Sequence, residues 1–207
     1  MNLNKYTSTL SGAKSATAIL GVACAGLSLA LLISVSALAS RHERIVVVPP
    51  GLSGPATVDW GRADTEYMKT FAVFYTTLLG TINPRNAEYV ADRLSGMTSP
   101  DAYAQIRKSI LAAAKDPAFA GSGSTSNFVS REVIHEVTTG LVFVVGENQT
   151  YSGFGQPKIA PVTYEMDVRI VEGRPVVYSV INYTGSEAHT AEWKLSHPNW
   201  DKVEVQK

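Results

Sequence analysis

Few residues in this chain have the types and spacing that chemistry needs. The four histidines are His42, His135, His189 and His197. No two of them stand three to five residues apart, the spacing that offers two imidazoles to one metal ion. His135 is followed by Glu136 in a strand-like run, and a His–Glu dyad could in principle move a proton. Neighbours on a strand point to opposite faces, however, so the two cannot serve one substrate atom. The only cysteine, Cys24, lies in an uncharged apolar stretch. It reads as a small packing residue and leaves neither a disulfide nor a thiolate metal site. There is no G-x-S-x-G, no metalloprotease helix motif and no glycine-rich phosphate loop. Gly153 and Gly155 flank Phe154, but no helix follows to receive a phosphate. The sequence therefore predicts no catalytic residue, no cofactor and no metal, and a protein that is not an enzyme.

Charge points the same way. The 18 Lys and Arg balance 18 Asp and Glu, with no block of like sign. No direct nucleic-acid binding is indicated. What organises the chain is Ser15 to Ser40, which has no charged residue and stops at Arg41-His42-Glu43-Arg44. As one helix it would be about 39 Å long, against a hydrocarbon core of roughly 30 Å. Ala37-Leu38-Ala39 has the small-x-small form of a signal cleavage site, but the apolar run is nearly double the length of a signal core. The preferred reading is an uncleaved signal anchor in the lipid bilayer, with residues 1–14 as a short cytoplasmic tail. Lys5 and Lys14 face Arg41 and Arg44 across it, so local charge barely sets the orientation.

The elements that follow are read from periodicity. Ile45 to Gly51, a β-branched run ending in two prolines, opens an extended stalk over residues 41–63. Asp64 caps a helix whose Tyr67, Phe71, Phe74, Tyr75 and Leu78 share one face, widened by Met68, Ala72 and Leu79, with Lys69, Thr76 and the apolar Val73 on the back. Asn83-Pro84 starts a second helix, with Ala87, Val90, Ala91 and Leu94 as its apolar side. Ser99-Pro100-Asp101 starts a third, running to about Lys115. After Gly121 the period changes to that of strands: 128–137, 141–145, the clear alternation 162–170, and 176–183 beyond the Glu172-Gly173 turn. An antiparallel sheet with one face on the helices and one towards water is expected. Residues 64–185 form the α+β domain, and 186–207 a polar C-terminal tail with Trp193 and Trp200 as isolated aromatics. The loop 147–161 carries Tyr151, Phe154, Gln156 and Lys158 and is a candidate contact surface for a neighbouring subunit. Its alternative is two longer strands with a short hairpin end.

Several stretches, in order and spacing, resemble the TraE family of F-type conjugative transfer systems. They are Val47-Val48-Pro49-Pro50, Ala63 to Met68, Leu78 to Asn86, Thr98-Ser99-Pro100, Ser126-Asn127-Phe128, and Val142 to Gly146 with Tyr164 beyond. That family is similar to the VirB-type inner-membrane subunit of type IV secretion. The resemblance implies a nuclear transport factor 2-like fold, three helices on a curved four-stranded antiparallel sheet, behind one transmembrane helix. It implies a bacterial inner-membrane location, a periplasmic domain, and a structural subunit of a conjugative type IV secretion channel serving plasmid transfer and pilus assembly. The partners implied are other channel subunits and further copies of the chain. The alternative is a small-molecule-binding or enzymatic cone-fold domain, anchored or secreted, which needs a carboxylate or histidine aimed inward. The inward positions read as apolar.

Overall fold

The structure is a computed structural model that describes residues 3–39, 45–47, 56–58, 60–152, 156–198 and 200. The chain divides into two units, Met1–Glu43 and Arg44–Lys207. The first is one helix, α1 (Leu3–Ala39). Its apolar window, Gly12–Ser36, is long and apolar enough to cross a membrane and has no side chain buried in the protein. Ile19, Leu20, Val22, Leu27, Leu31 and Leu32 are all exposed on it. Around the helix the apolar residues leave no polar face, as in a segment that needs an apolar solvent on every side.

The second unit begins with β1 (Ile45–Val47) and β2 (Ala56–Val58), which pair antiparallel. The segment expected as an extended stalk thus includes a small ladder. Val58 is buried at its end, packed with Tyr67, Ala63 and Ile170. An isolated stalk would leave Val58 in water; burying it against the first domain helix is the favourable alternative.

Four helices follow: α2 (Thr65–Gly80), α3 (Ala87–Ser95), α4 (Pro100–Lys115) and the short α5 (Pro117–Gly121). The start signals work largely as the residues predict. Ser99 precedes Pro100 and accepts a hydrogen bond from the Ala102 amide. Asn83 does not cap α3 directly: its Oδ1 accepts from the Arg85 and Asn86 amides, making a turn that delivers Asn86 as the cap. The expected apolar side of α3, Ala87, Val90, Ala91 and Leu94, is the buried one. On α2 the buried side takes in Tyr67, Tyr75, Met68 and Ala72 of the expected face but turns towards Thr76 and away from Phe74, which stays 55% exposed. Thr76 can be buried because its hydroxyl donates to the Ala72 carbonyl within the helix, which removes the cost of an unpaired hydroxyl.

The sheet is a meander of β3 (Thr125–Glu136), β4 (Leu141–Tyr151), β5 (Lys158–Val171) and β6 (Arg174–Thr184), every pair antiparallel. Glu172 and Gly173, both at positive φ, make the β5–β6 turn. The core joins Met68, Ala72, Tyr75, Leu94 and Ile110 to Val142, Val144, Tyr164, Met166, Val168 and Val177. At its centre Phe128 meets Tyr164 edge to face at 4.9 Å. Two glycines admit that ring. A Cβ on Gly80 would lie 2.4 Å from the Phe128 Cβ, and one on Gly146 would lie 2.3 Å from the Val129 carbonyl oxygen.

The outer face is not simply open to water. By alternation from Val142 and Val144, Phe143 and Val145 point away from the helices, yet both are buried, as is Thr163. The residues beyond Gly185 cross this face. They include a sixth helix, α6 (Ala191–Ser196), where the sequence predicts only a polar tail with isolated aromatics.

Candidate interaction surfaces

His135 and Glu136 project as strand alternation requires. The His135 Nδ1 lies 3.3 Å from the Thr65 hydroxyl on α2, and burial together with the nearby Lys69 charge holds its pKa below the usual imidazole range. Glu136 points the other way and accepts the Ala191 amide at 2.9 Å. The residues are adjacent in sequence but do not share a site. Among the described residues no group of three metal-ligating side chains forms.

The loop candidates are divided. Tyr151 is the last residue of β4, half-exposed, its hydroxyl donating to Gln149 Oε1 at 2.9 Å. Lys158 opens β5 opposite Thr150. Gln156 is exposed between the strands, and Phe154 lies outside the described residues. The strands therefore extend further than their apolar runs predict, and the hairpin end is short. Asn148, Gln149 and Thr150 continue the ladder, although only Thr150 has a high strand propensity, because the neighbouring strand offers them partners, a tertiary effect that periodicity does not see.

Two surface features escaped sequence reasoning. One is a cleft of about 710 Å³ between α4 and β6. Ile106, Ile110, Ala113 and Phe119 make its apolar wall, and residues 178–182 of β6 run along the other side. Tyr164 and Asn148 close its floor. Burial raises the Tyr164 pKa, and the side chain of Asn148 tempers the rise by hydrogen bonding to the hydroxyl. The Asn148 Oδ1 is buried and has no hydrogen-bond partner among the described residues. Asp101 and Asp116 stand on the lining, with no lysine, arginine or histidine in it among the described residues. These side chains come from α4, α5, β4, β5 and β6, elements spread along the sequence, so no local pattern announces them.

The other feature is the tail. Tyr183, His189, Trp193 and His197 form one column of rings, stacked at 3.9, 3.7 and 4.2 Å between successive centroids. The His189 amide donates to the Tyr183 hydroxyl, and Trp193 Nε1 donates to Glu187. Lys194 reaches Glu165 on β5 at 3.0 Å, with both side chains mostly shielded from solvent. Trp193 and Trp200 are thus not isolated: Lys194 Nζ also sits 5.0 Å from the centre of the Trp200 ring. The four-residue spacing of His189, Trp193 and His197 is the legible signal, although only Trp193 lies within α6 and the two histidines flank it.

Comparison with known proteins adds independent findings. A family model described as TraE protein matches residues 1–180. Among solved structures, a TraE protein in complex with 2-chloroisonicotinic acid is similar at 10% identity and TM-score 0.51, covering 59% of this chain and 97% of that one. VirB8 of Agrobacterium tumefaciens is similar at 13% identity and TM-score 0.47, covering 59% and 94%. The soluble domain of the TrwG type IV secretion machinery of Bartonella grahamii stands at 8% identity and TM-score 0.48, covering 60% and 97%. No curated protein matches the chain.

Proposed function

The chain belongs to the TraE family, its nuclear transport factor 2-like domain following one N-terminal apolar helix, and from that premise we propose that it is an inner-membrane subunit of a conjugative type IV secretion channel. The observation that carries this reading is the family match running through the apolar helix and most of the domain, residues 1–180. In this reading Ser15 to Ser40 is a single-pass signal anchor, residues 1–14 are cytoplasmic, and 64–185 are the periplasmic body. The role is structural. The membrane holds the domain of each copy in a thin layer, which raises its effective concentration for neighbours before any contact forms. The core is assigned to packing: Tyr75, Tyr164 and Met166 fill it, and His135 and Glu136 face apart. Partners are other channel subunits and further copies of the chain.

Deleting the gene in a donor cell should abolish plasmid transfer and pilus assembly, with transfer restored by the full chain supplied in trans. Normal transfer without it would refute the reading. For the hairpin end carrying Tyr151, Phe154, Gln156 and Lys158 we propose a subunit contact. Replacing Tyr151 and Phe154 by Ser should weaken crosslinking to neighbouring subunits while the chain stays folded; unchanged crosslinking would return that end to a plain turn.

A further inference from the structure

The free side of β6 has a definable hydrogen-bonding register. The Gly185 amide donates to the Pro161 carbonyl at 3.1 Å. Residues 161 and 185 are therefore a hydrogen-bonded pair of the β5–β6 ladder, and so, alternating inward, are 163/183 and 165/181. The pairs between them, Val162↔Thr184, Tyr164↔Asn182 and Met166↔Val180, are non-hydrogen-bonded pairs. The backbone N–H and C=O of Val180, Asn182 and Thr184 thus point away from β5, along the edge. No backbone hydrogen bond engages them among the described residues.

The molecule itself shows how this edge is used. One residue of register further back, past the irregularity at Asp167/Val168, Val177 has its outward groups filled. Its amide donates to the Met97 carbonyl at 2.8 Å, and its carbonyl accepts from the Ser99 amide at 2.9 Å. Thr98 bridges Val177 in parallel. Pro100 then turns the chain into α4, and the added strand ends there. From residue 178 to 182 the same edge lines the cleft against α4.

We infer that the edge of β6 in this cleft receives an extended peptide from another chain, continuing the parallel addition that Met97–Ser99 begins. The lining chooses its chemistry. Alternate side chains of an added strand would meet the apolar wall of Ile106, Ile110 and Phe119. Asp101 and Asp116 are the charged side chains of the lining among the described residues, both acidic, set among neutral polar groups such as Gln105, Ser109, Thr150 and Asn182 that can donate or accept, and no basic residue is found with them. The occupant is therefore apolar at alternate positions and carries a Lys or Arg. Main-chain pairing supplies the attraction, and the pockets and charges supply selection. The inference names a chemistry for one partner in the assembly role proposed above, and it rests on edge geometry that is independent of that role.

The test uses the full chain in nanodiscs of zwitterionic lipid and a fluorescein-labelled, end-capped octapeptide of alternating valine and lysine. Anisotropy should show saturable binding. Methylating alternate backbone nitrogens of the peptide should abolish it, since those amides can no longer pair. Glutamate in place of lysine should weaken it at least tenfold. Asn182→Pro removes one outward N–H without touching the β5 ladder and should weaken binding about tenfold, the size of one hydrogen bond. If that variant is misfolded by circular dichroism, Asp101→Lys takes its place and should reverse the preference between the lysine and glutamate peptides. No binding at millimolar peptide, or equal binding of the methylated peptide, overturns the inference. Plasmid transfer is not the readout, so failure here leaves the secretion reading standing, and failure of that reading leaves this one testable.

Discussion

On the inner face of the sheet, Val142, Val144, Tyr164, Met166 and Val168 lock into α2, α3 and α4 with nothing but apolar and aromatic contacts and a few buried hydroxyls. On the outer face, Phe143, Val145 and Thr163 are as deeply buried, but the tail crossing that face is held differently. It uses one amide to Glu136, one ion pair to Glu165, the Gly185 carbonyl accepting from the Thr163 hydroxyl, and a column of stacked rings. The first arrangement is insensitive to charge and intolerant of added volume. The second is built from directional contacts on a six-residue helix that has little stability of its own. The family model runs through β3, β4 and β5, which both faces share, and stops at residue 180 within β6, short of the tail. The difference suggests one rigid face and one that is attached.

The sharpest test of the rigid face is volume. Gly146→Ala sets a methyl against the Val129 carbonyl and the Phe128 ring, neither of which can move without opening the β3–β4 ladder. A loss of about 3 kcal/mol is expected, at the upper end for overpacking. Urea unfolding followed at the Phe128–Tyr164 cluster measures it. A loss under 1 kcal/mol would mean that this face is as adaptable as the other, and the comparison would collapse.

Ionisation gives the next largest effect. Thr98 donates its hydroxyl to the Leu94 carbonyl, so at 2.8 Å it accepts from Tyr75. Burial pushes the Tyr75 pKa up to about 12 from 10.0. A folded pKa above the unfolded one contributes stability that is whole below pH 10 and is lost as pH rises towards 12. Melting temperature measured across that window should fall for the native chain. It should fall less for Tyr75→Phe, which starts lower by the lost hydrogen bond, about 1 kcal/mol. Equal slopes for the two would show that Tyr75 is not sealed within the core.

The same contrast explains what could be foreseen. The helix starts at Ser99-Pro100, the buried side of α3 and the β5–β6 hairpin are local: each is set by residues a few positions apart, and the sequence shows them. The phase of α2 is legible only in part: Tyr67, Met68, Ala72 and Tyr75 go inward as their apolarity predicts, but apolar Phe74 stays out and polar Thr76 goes in. In a helix a threonine can satisfy its hydroxyl internally and go inward, so polarity alone misplaces it. The stretches resembling the TraE family acquire a physical meaning only in three dimensions: Gly80, Phe128 and Gly146 come from three of them and meet at one ring. The β6 edge and the α4 cleft had no local signature, since they depend on which strand lies at the border of the sheet.

The smallest effect concerns the attached face, and it decides whether the two faces are separate. Trp193 stands between His189 and His197 in the ring column, and its indole N–H is satisfied by Glu187. Trp193→Ala removes both stacking partners at once, at a cost of about 1 kcal/mol. Among the described residues α6 is then left with its Thr190 cap, the Glu136 contact, the Lys194–Glu165 pair and the Lys194–Trp200 contact, so this loss should release it. Hydrogen exchange should then accelerate at Ala191 and Lys194, whose amides are bonded in the native chain. Exchange in β4 and β5 at Val144 and Tyr164 should stay slow. If those inner strands accelerate together with α6, the tail is part of one cooperative core, and the sheet has two rigid faces rather than one.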